Sequence, residues 1–209
     1  MRKKISAVLA MSIIATNVSP AINVYANEVV KEKAVAIEKQ VSKNMTVTDF
    51  KIKNNPNFAK YNELYRVGIQ SISNNGRSYP GTKIENAIDG KLETHWETYT
   101  KNDETFKNEV TVEFKDIAEI NRLAYATRQD GAKGKGYPTS AEIYVSESET
   151  GEDFKLAGKV EGSKVTGGMV EFKFDTVRAK RVKFKFVEAH NEWASAAEFW
   201  FYKEDKTFD

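Results

Sequence analysis

The sequence predicts an all-β protein built as an antiparallel β-sandwich, and three observations carry this prediction. Apolar and polar residues alternate in several short runs, which is the pattern of strands with one buried face. Clusters of turn residues such as NNGRSYPG and DGAKGKGYP separate the runs. The 12 Phe and 9 Tyr residues fall mostly in this part of the chain and supply a sizeable core.

Residues 1–26 are predicted to be a secretory signal peptide. The basic start Arg2-Lys3-Lys4 precedes an apolar run over residues 5–15, and small residues lead to a cleavage site after Ala26. The alternative is a membrane anchor, but the apolar run is shorter than the roughly 20 residues that a span needs. We therefore expect a secreted, extracellular protein without a membrane span, either free or associated with the cell surface.

Residues 27–50 are predicted to be a linker or a short helix that leads into the sandwich. Val30, Ala34, Ile37 and Val41 recur at helical spacing among charged residues. The stripe is thin and no partner helix is visible, so a flexible linker is favoured. The sandwich is expected over residues 51–205, and residues 206–209 would begin a further linker.

Five runs within residues 51–205 read as strands. They are EVTVEF, SAEIYVS, MVEFKF, RVKFKFV and SAAEFWFY. In the fourth run, Val182, Phe184 and Phe186 alternate with Lys183 and Lys185. Period-two alternation with frequent turns is typical of antiparallel sheets that are solvated on one face.

Charge and composition exclude several classes of partner. The formal net charge is +2, from 32 basic and 30 acidic residues, and the signal peptide carries three of the positive charges. No basic stripe remains to bind nucleic acid, and we expect a monomer without nucleic-acid partners. The chain has no cysteine, which removes thiol nucleophiles and thiolate zinc sites.

Motifs of catalysis are missing from the sequence. Neither of the two histidines begins an H-E-x-x-H zinc motif, and no G-x-S-x-G or phosphate-binding glycine loop occurs. Paired carboxylates for glycoside hydrolysis remain the open alternative, although no pair is marked out. We expect this chain not to be an enzyme, while it can be the N-terminal part of a larger hydrolase.

Three segments together resemble a known family. AIDGKLETHW, RQDGAKGKGYPTSAEIYVSE and NEWASAAEFWFY are similar, in this order and spacing, to the discoidin or coagulation factor 5/8 type C domain. The resemblance covers residues 67–203 and is greatest to carbohydrate-binding module family 32 of Gram-positive bacteria. It implies a jelly-roll, galactose-binding-domain-like fold without catalytic activity, which binds terminal galactose or N-acetylhexosamine through loops at one end.

The ends of the chain add to the resemblance. The lead and the tail FYKEDKTFD are similar to the front of secreted enhancin-like, mucin-directed metallopeptidases. The implied role is to target an attached, or formerly attached, peptidase or glycosidase to mucin or glycoprotein sugars. The alternative is a discoidin-type adhesion domain that binds protein or phospholipid, which should expose apolar side chains at its loop tips.

The resemblance further implies that the stretch ENAIDGKLETHWET holds a structural calcium ion, and its residue types suit one. Asp89 offers a carboxylate and Gly90 a sharp turn, and calcium takes six to eight oxygen ligands. The resemblance adds Glu198 on the last strand and neighbouring backbone carbonyls. The predicted metal ligands are Ala87, Asp89, Lys91, Thr94, Ala197 and Glu198. The alternative is an ordinary Asx turn with a solvated Glu198.

The resemblance also implies a sugar site in two loops. Sugar recognition needs an aromatic ring against the pyranose face and polar groups that bond pairs of hydroxyls. The predicted carbohydrate-binding residues are Arg128, Asp130, Asn191, Glu192, Trp193 and, more weakly, His95. The alternatives are an internal ion pair between Arg128 and Asp130 and a core position for Trp193. We expect Trp96 to pack in the core at the end of the sandwich.

Overall fold

The structure of the chain is a computed structural model that describes residues 45–50, 67–130, 135–162 and 168–204. Its strands are β1 (Thr46–Phe50), β2 (Ile69–Asn74), β3 (Trp96–Glu97), β4 (Glu109–Ala126), β5 (Pro138–Ser146), β6 (Lys155–Val160), β7 (Met169–Ala189), β8 (Ser195–Ala196) and β9 (Glu198–Tyr202). Two short 3₁₀ helices cover Ile84–Ile88 and His190–Glu192. All strand pairs are antiparallel, which confirms the predicted fold class.

Two long strands, β4 and β7, are shared by both layers of the sandwich. They pair with each other over Glu109–Glu113 and again over Ala118–Ala126, with a register shift between the two stretches. Residues 115–117 lie at this break and are exposed. The first half of β4 pairs with β2 and the second half with β9, so each half belongs to a different layer.

Aromatic side chains from the two layers meet in the core. Tyr125, on the second half of β4, stacks on Phe184 of β7 with ring centroids 6.2 Å apart and planes 4° apart. Phe199 of β9 contacts both rings at 5.5 Å. Trp96 is completely buried and lies 6.0 Å from Phe186. The core position predicted for Trp96 is therefore confirmed.

The strand bounds differ from the predicted ones in two places. The runs MVEFKF and RVKFKFV are halves of the single strand β7, since residues 175–178 continue the strand between them and are exposed except for the partly buried Val177. Residues 46–50, assigned above to the lead, form β1 and pair with Met169–Lys173 of β7. The β-branched Thr46 and Val47 suit a strand, but only the distant β7 provides the partner.

Several predicted segments lie outside the described residues. They are the signal peptide at 1–26, the lead as far as residue 44, and the tail at 206–209. Among the described residues, no helix is long and apolar enough to span a membrane.

Candidate functional site

The short ribbon of β3 and β8 brings distant loops together at one end of the sandwich. Glu97 pairs with Ser195, and the Thr98 amide donates a hydrogen bond of 2.8 Å to the Ala194 carbonyl. The buried Tyr125 hydroxyl donates to the Ser195 carbonyl at 2.5 Å and ties the ribbon to the end of β4. The segments that carry the family resemblance therefore meet in one place.

Gly136 joins a further loop to this ribbon. Its amide donates to the His190 carbonyl at 3.1 Å, and its carbonyl accepts from the Ser195 amide at 2.9 Å. Its φ is 73°, and a Cβ here would lie 2.7 Å from Ser195 Oγ and 2.9 Å from Ser195 N. Only glycine satisfies both the left-handed conformation and the close approach.

Replacing Gly136 by alanine should destabilise the protein by about 1–3 kcal/mol, because a strained backbone is combined with a clash against another backbone segment. The matched control is Gly162→Ala, where φ is 64° but nothing lies within 4 Å of the added Cβ. Thermal denaturation of both variants measures the difference. Equal losses of melting temperature in the two would show that the contact with Ser195 is unimportant.

Arg128 is held rigidly by two carboxylates at this end. It is 8% exposed, with Nε donating to Asp130 Oδ1 at 2.8 Å and Nη2 to Asp130 Oδ2 at 2.6 Å. Nη1 lies 2.8 Å from Glu97 Oε1. Burial acts to lower the Arg128 pKa, but the bonds to Asp130 and the charge of Glu97 outweigh it and raise the pKa. The ion pair considered above as an alternative is therefore present, and Arg128 is buried.

Glu97 belongs to this candidate site but was not predicted from the sequence. Its side chain is 18% exposed and pairs with Arg128, which lies 31 positions away in the chain. The available signal was its place next to the buried Trp96, because alternation along a strand turns successive side chains to opposite faces. The sequence did not indicate that Arg128 is the partner of Glu97, since this contact depends on how β3 and β4 are arranged in the fold.

His95 lies half-buried beside the Arg128 cluster. Burial has the largest effect on the His95 pKa and lowers it, and the positive charge of Arg128 lowers it further. The negative charges of Asp130 and Glu97 act to raise the pKa but do not outweigh these effects. Its Nε2 is buried and has no hydrogen-bond partner among the described residues. His95 is therefore neutral near pH 7.

Acidification should cost the native state stability through His95. Its folded pKa lies below the unfolded value of about 6.5, so its contribution is complete above that pH and is lost as the pH falls through the folded pKa. Urea unfolding at pH 7.5 and 5.5 should show a larger loss of unfolding free energy for wild type than for His95→Asn. Asp103 and Asp153 also have lowered pKa values and titrate at more acid pH. Equal losses of unfolding free energy in wild type and His95→Asn would show that His95 is not responsible for the pH dependence.

The loop before β8 presents an aromatic ring. Trp193 is half-buried rather than part of the core. Lys101 Nζ lies 5.3 Å from the centroid of its ring and 2.8 Å from Glu192 Oε2. Asn191 and Glu192 have φ values of 61° and 68°, a left-handed conformation that is costly for residues other than glycine. The loop thus stores strain while it holds Asn191, Glu192 and Trp193 at the surface.

The predicted metal residues converge at the start of the segment that leads into β3. Thr94 Oγ1 donates to Asp89 Oδ2 at 2.8 Å and also lies 3.1 Å from the Lys91 carbonyl oxygen. The Lys91 amide donates to Asp89 Oδ1 at 2.9 Å and to Glu198 Oε1 at 3.1 Å. One amide therefore links two carboxylates that are 109 positions apart in the sequence.

Glu198 is completely buried, so the alternative of a solvated Glu198 is wrong. The Gly90 amide donates a second hydrogen bond to the same carboxylate oxygen. Ala87 and Ala197, predicted to offer carbonyls, are also completely buried. A buried carboxylate is costly unless hydrogen bonds or a cation compensate its charge. The bond from Lys91 to Asp89 shows that an Asx turn is present as well.

The donor chemistry of this cluster fits calcium. The described residues contain no group of three or more His, Asp or Glu side chains arranged for a metal. A cation here would use two carboxylates, the Thr94 hydroxyl and backbone carbonyls. Such a mixed set of hard oxygens is what calcium accepts, whereas zinc sites use histidine and thiolate ligands.

A two-layer antiparallel sandwich that gathers aromatic and charged loops at one end defines a β-sandwich binding domain. Residues 68–199 match the F5/8 type C domain, and the chain belongs to this family, which is a non-catalytic kind of module. The family resemblance drawn from the three sequence segments is confirmed.

Solved structures extend the comparison. The chain is 46% identical to the CBM32-1 and CBM32-2 domains of Clostridium perfringens ZmpB, with a TM-score of 0.73, over 78% of this chain and 43% of that one. The same domains in complex with GalNAc match with a TM-score of 0.74, over 79% of this chain and 42% of that one. This chain therefore spans less than half the length of these ZmpB structures.

A third structure has lower identity. CpGH89CBM32-5 from Clostridium perfringens, in complex with GalNAc-β-1,3-galactose, is 28% identical with a TM-score of 0.55. The match covers 63% of this chain and 94% of that one. No curated protein sequence matched the chain.

Proposed function

We propose that this domain is a carbohydrate-binding module that recognises a terminal galactose or N-acetylhexosamine of host glycans. The observation that carries the proposal is the partly exposed Trp193 ring, presented beside charged side chains at the loop end of the sandwich. The ZmpB domains that are 46% identical to this chain have been solved with GalNAc, which supports the same class of ligand.

The roles of the residues follow from their chemistry. The flat face of Trp193 stacks on the apolar face of a pyranose ring. Asn191 and Glu192 supply amide and carboxylate groups for hydroxyls next to that ring. Lys101 forms an ion pair with Glu192 and lies over the Trp193 ring, so it fixes the positions of these two side chains relative to each other.

Arg128 serves as a pre-oriented donor in this proposal. Asp130 accepts hydrogen bonds from two guanidinium nitrogens of Arg128, and Glu97 pairs with the third nitrogen. The Arg128 side chain therefore has little conformational entropy left to lose when a sugar binds. The neutral His95 beside it adds a hydrogen-bonding ring without a second positive charge. One stacked ring and a few hydrogen bonds, each in competition with water, give dissociation constants in the roughly millimolar to micromolar range.

We also propose that the Asp89–Glu198 cluster holds a structural calcium ion. The ligands would be the side chains of Asp89, Thr94 and Glu198 and the carbonyls of Ala87, Lys91 and Ala197. Bound calcium would supply the positive charge that compensates the buried Glu198 carboxylate. The segment leads directly into His95 and Glu97, so a rigid cluster supports the sugar site without touching the sugar.

In the larger setting, we propose that the protein is secreted and that the domain targets an attached or formerly attached hydrolase to glycans. The domain itself is proposed to catalyse no reaction. One structure of ZmpB joins its CBM32 domains to an M60 catalytic domain, which supports this arrangement. Incubation with mucin should therefore leave the mucin intact.

Glycan-array binding followed by calorimetry tests the proposed function. We expect binding to arrays with terminal galactose, GalNAc or GlcNAc, and saturable calorimetric binding to at least one of these free sugars. Glucose serves as the control for general stacking. Absence of binding to every glycan, together with binding to phosphatidylserine vesicles, would overturn the proposal in favour of a lipid-binding adhesion domain.

A further inference from the structure

Two exposed tyrosines lie next to the proposed sugar site and have no role in it. The described residues include three exposed large hydrophobic side chains, namely Tyr79 at 48%, Tyr99 at 52% and Ile117 at 47%. The two tyrosine rings lie 6.0 Å apart with planes 28° apart. The Arg77 guanidinium lies 5.4 Å from the centroid of the Tyr99 ring. A broad aromatic surface with an adjacent cation is therefore open to solvent.

The backbone holds this tyrosine pair in place. The Tyr79 amide donates to the Glu97 carbonyl at 2.8 Å, and the Tyr99 amide donates to the Arg77 carbonyl at 2.6 Å. An isolated β-bridge between Ser78 and Thr98 lies between these bonds. Residues 77–79 thus form an extra edge beside β3, and the aromatic surface is preorganised before any ligand arrives.

The same strands connect the tyrosine pair to the Trp193 loop. Thr98, next to Tyr99, exchanges two hydrogen bonds with Ala194, one of 2.8 Å from its amide and one of 3.0 Å to its hydroxyl. Residues 77–79, β3 and β8 therefore lie side by side. Strands that are two apart in such an arrangement are separated by about 10 Å. Tyr99 continues the strand that neighbours β8, and Tyr79 lies one strand further away, so the pair suits the first or second sugar unit after the terminal one.

We infer that the Tyr79–Tyr99 pair is a second sugar subsite, which contacts the residue adjoining the terminal sugar, so that the domain recognises an oligosaccharide. The inference rests on the proposed function and names the class of ligand more closely. Tyrosine rings offer stacking faces and their hydroxyls offer hydrogen bonds, a combination that suits a sugar. Arg77 adds donors for ring hydroxyls or for an acidic substituent.

The test compares Tyr99→Ala and Tyr79→Ala with wild type. The ligands are GalNAc, galactose and a panel of di- and trisaccharides that end in these sugars through different linkages, GalNAc-β-1,3-galactose among them. We expect some panel members to bind wild type about three- to tenfold more tightly than their terminal monosaccharide. Tyr99→Ala should abolish this gain and leave monosaccharide binding unchanged. Tyr99→Phe should keep most of it, and Ile117→Ala should keep all of it.

Two results would overturn the inference of a second subsite while leaving the proposed function intact. They are wild-type protein that binds no panel member more tightly than the monosaccharide, and a gain that survives in both alanine variants. The second would show that the tyrosines do not contact the sugar. Wild-type protein that binds neither monosaccharides nor oligosaccharides would instead overturn the proposed function itself.

Discussion

Calcium at about 100 times its dissociation constant is expected to stabilise the wild-type protein by about 2.7 kcal/mol relative to protein in excess chelator. For a domain of this size the melting temperature should rise by about 5–10 °C. The physical reason is that a bound cation compensates the buried Glu198 carboxylate and links the Asp89 turn to β9. The chain has no cysteine, so no disulfide makes this link instead. Thermal melts over a range of calcium concentrations measure the effect.

Variants locate the effect within the chain. Glu198→Gln preserves the shape of the side chain and removes its charge, so it should flatten the calcium dependence. Glu152→Gln is the matched control, since this side chain is 83% exposed and pairs only at the surface with Lys183. Magnesium at equal concentration should stabilise less, because it demands a tighter octahedral shell. Identical melting temperatures with calcium and with chelator would contradict the site.

Trp193→Ala is expected to weaken sugar binding at least about tenfold, because the whole stacking surface is removed at once. The ring is half-buried and outside the core, so the melting temperature should change little. Trp193→Phe keeps a smaller ring and should retain part of the affinity. Calorimetry with the best-binding sugar measures all three proteins.

Two further measurements sharpen this prediction. Asn191→Gly should lose hydroxyl contacts while it relieves the left-handed strain at φ 61°, so it should bind more weakly without being less stable. Trp193→Ala should show the same calcium-dependent melt as wild type, since the two sites share no described contact. If Trp193→Ala binds sugar normally and unfolds early, the tryptophan is structural and the sugar lies elsewhere.

Because Arg128 is buried, its removal should affect the stability of the domain as well as sugar binding. The sequence predicted a loop arginine, and such residues are usually solvated. The structure buries it between Glu97 and Asp130, so Arg128→Ala would leave two carboxylates without their cation. We therefore attribute a structural role to Arg128 in addition to its proposed contact with sugar.

The strands and the Asp89-Gly90 turn were readable because they depend on local patterns. Alternation in residues 181–187 specifies one buried face whatever the partner strand is, and Asp89-Gly90 specifies a turn by its own conformational preferences. Glu198 was reached through the family resemblance rather than through its own neighbours. The stretch that joins the two halves of β7 was not predicted to be a strand, since the polar, exposed residues Asp175, Thr176 and Arg178 interrupt the alternation.

By itself, the sequence determined the alternation that makes a sandwich, the aromatic supply of its core and the residue types available in the loops. The tertiary structure alone decided which loops meet: Glu97 with Arg128, Lys101 with Trp193, and Tyr79 with Tyr99. The physical reason is that local patterns record whether a side chain is buried, but not its partner. Partners across 20 to 92 positions of chain follow from strand pairing and from the register shift within β4, which are properties of the folded whole.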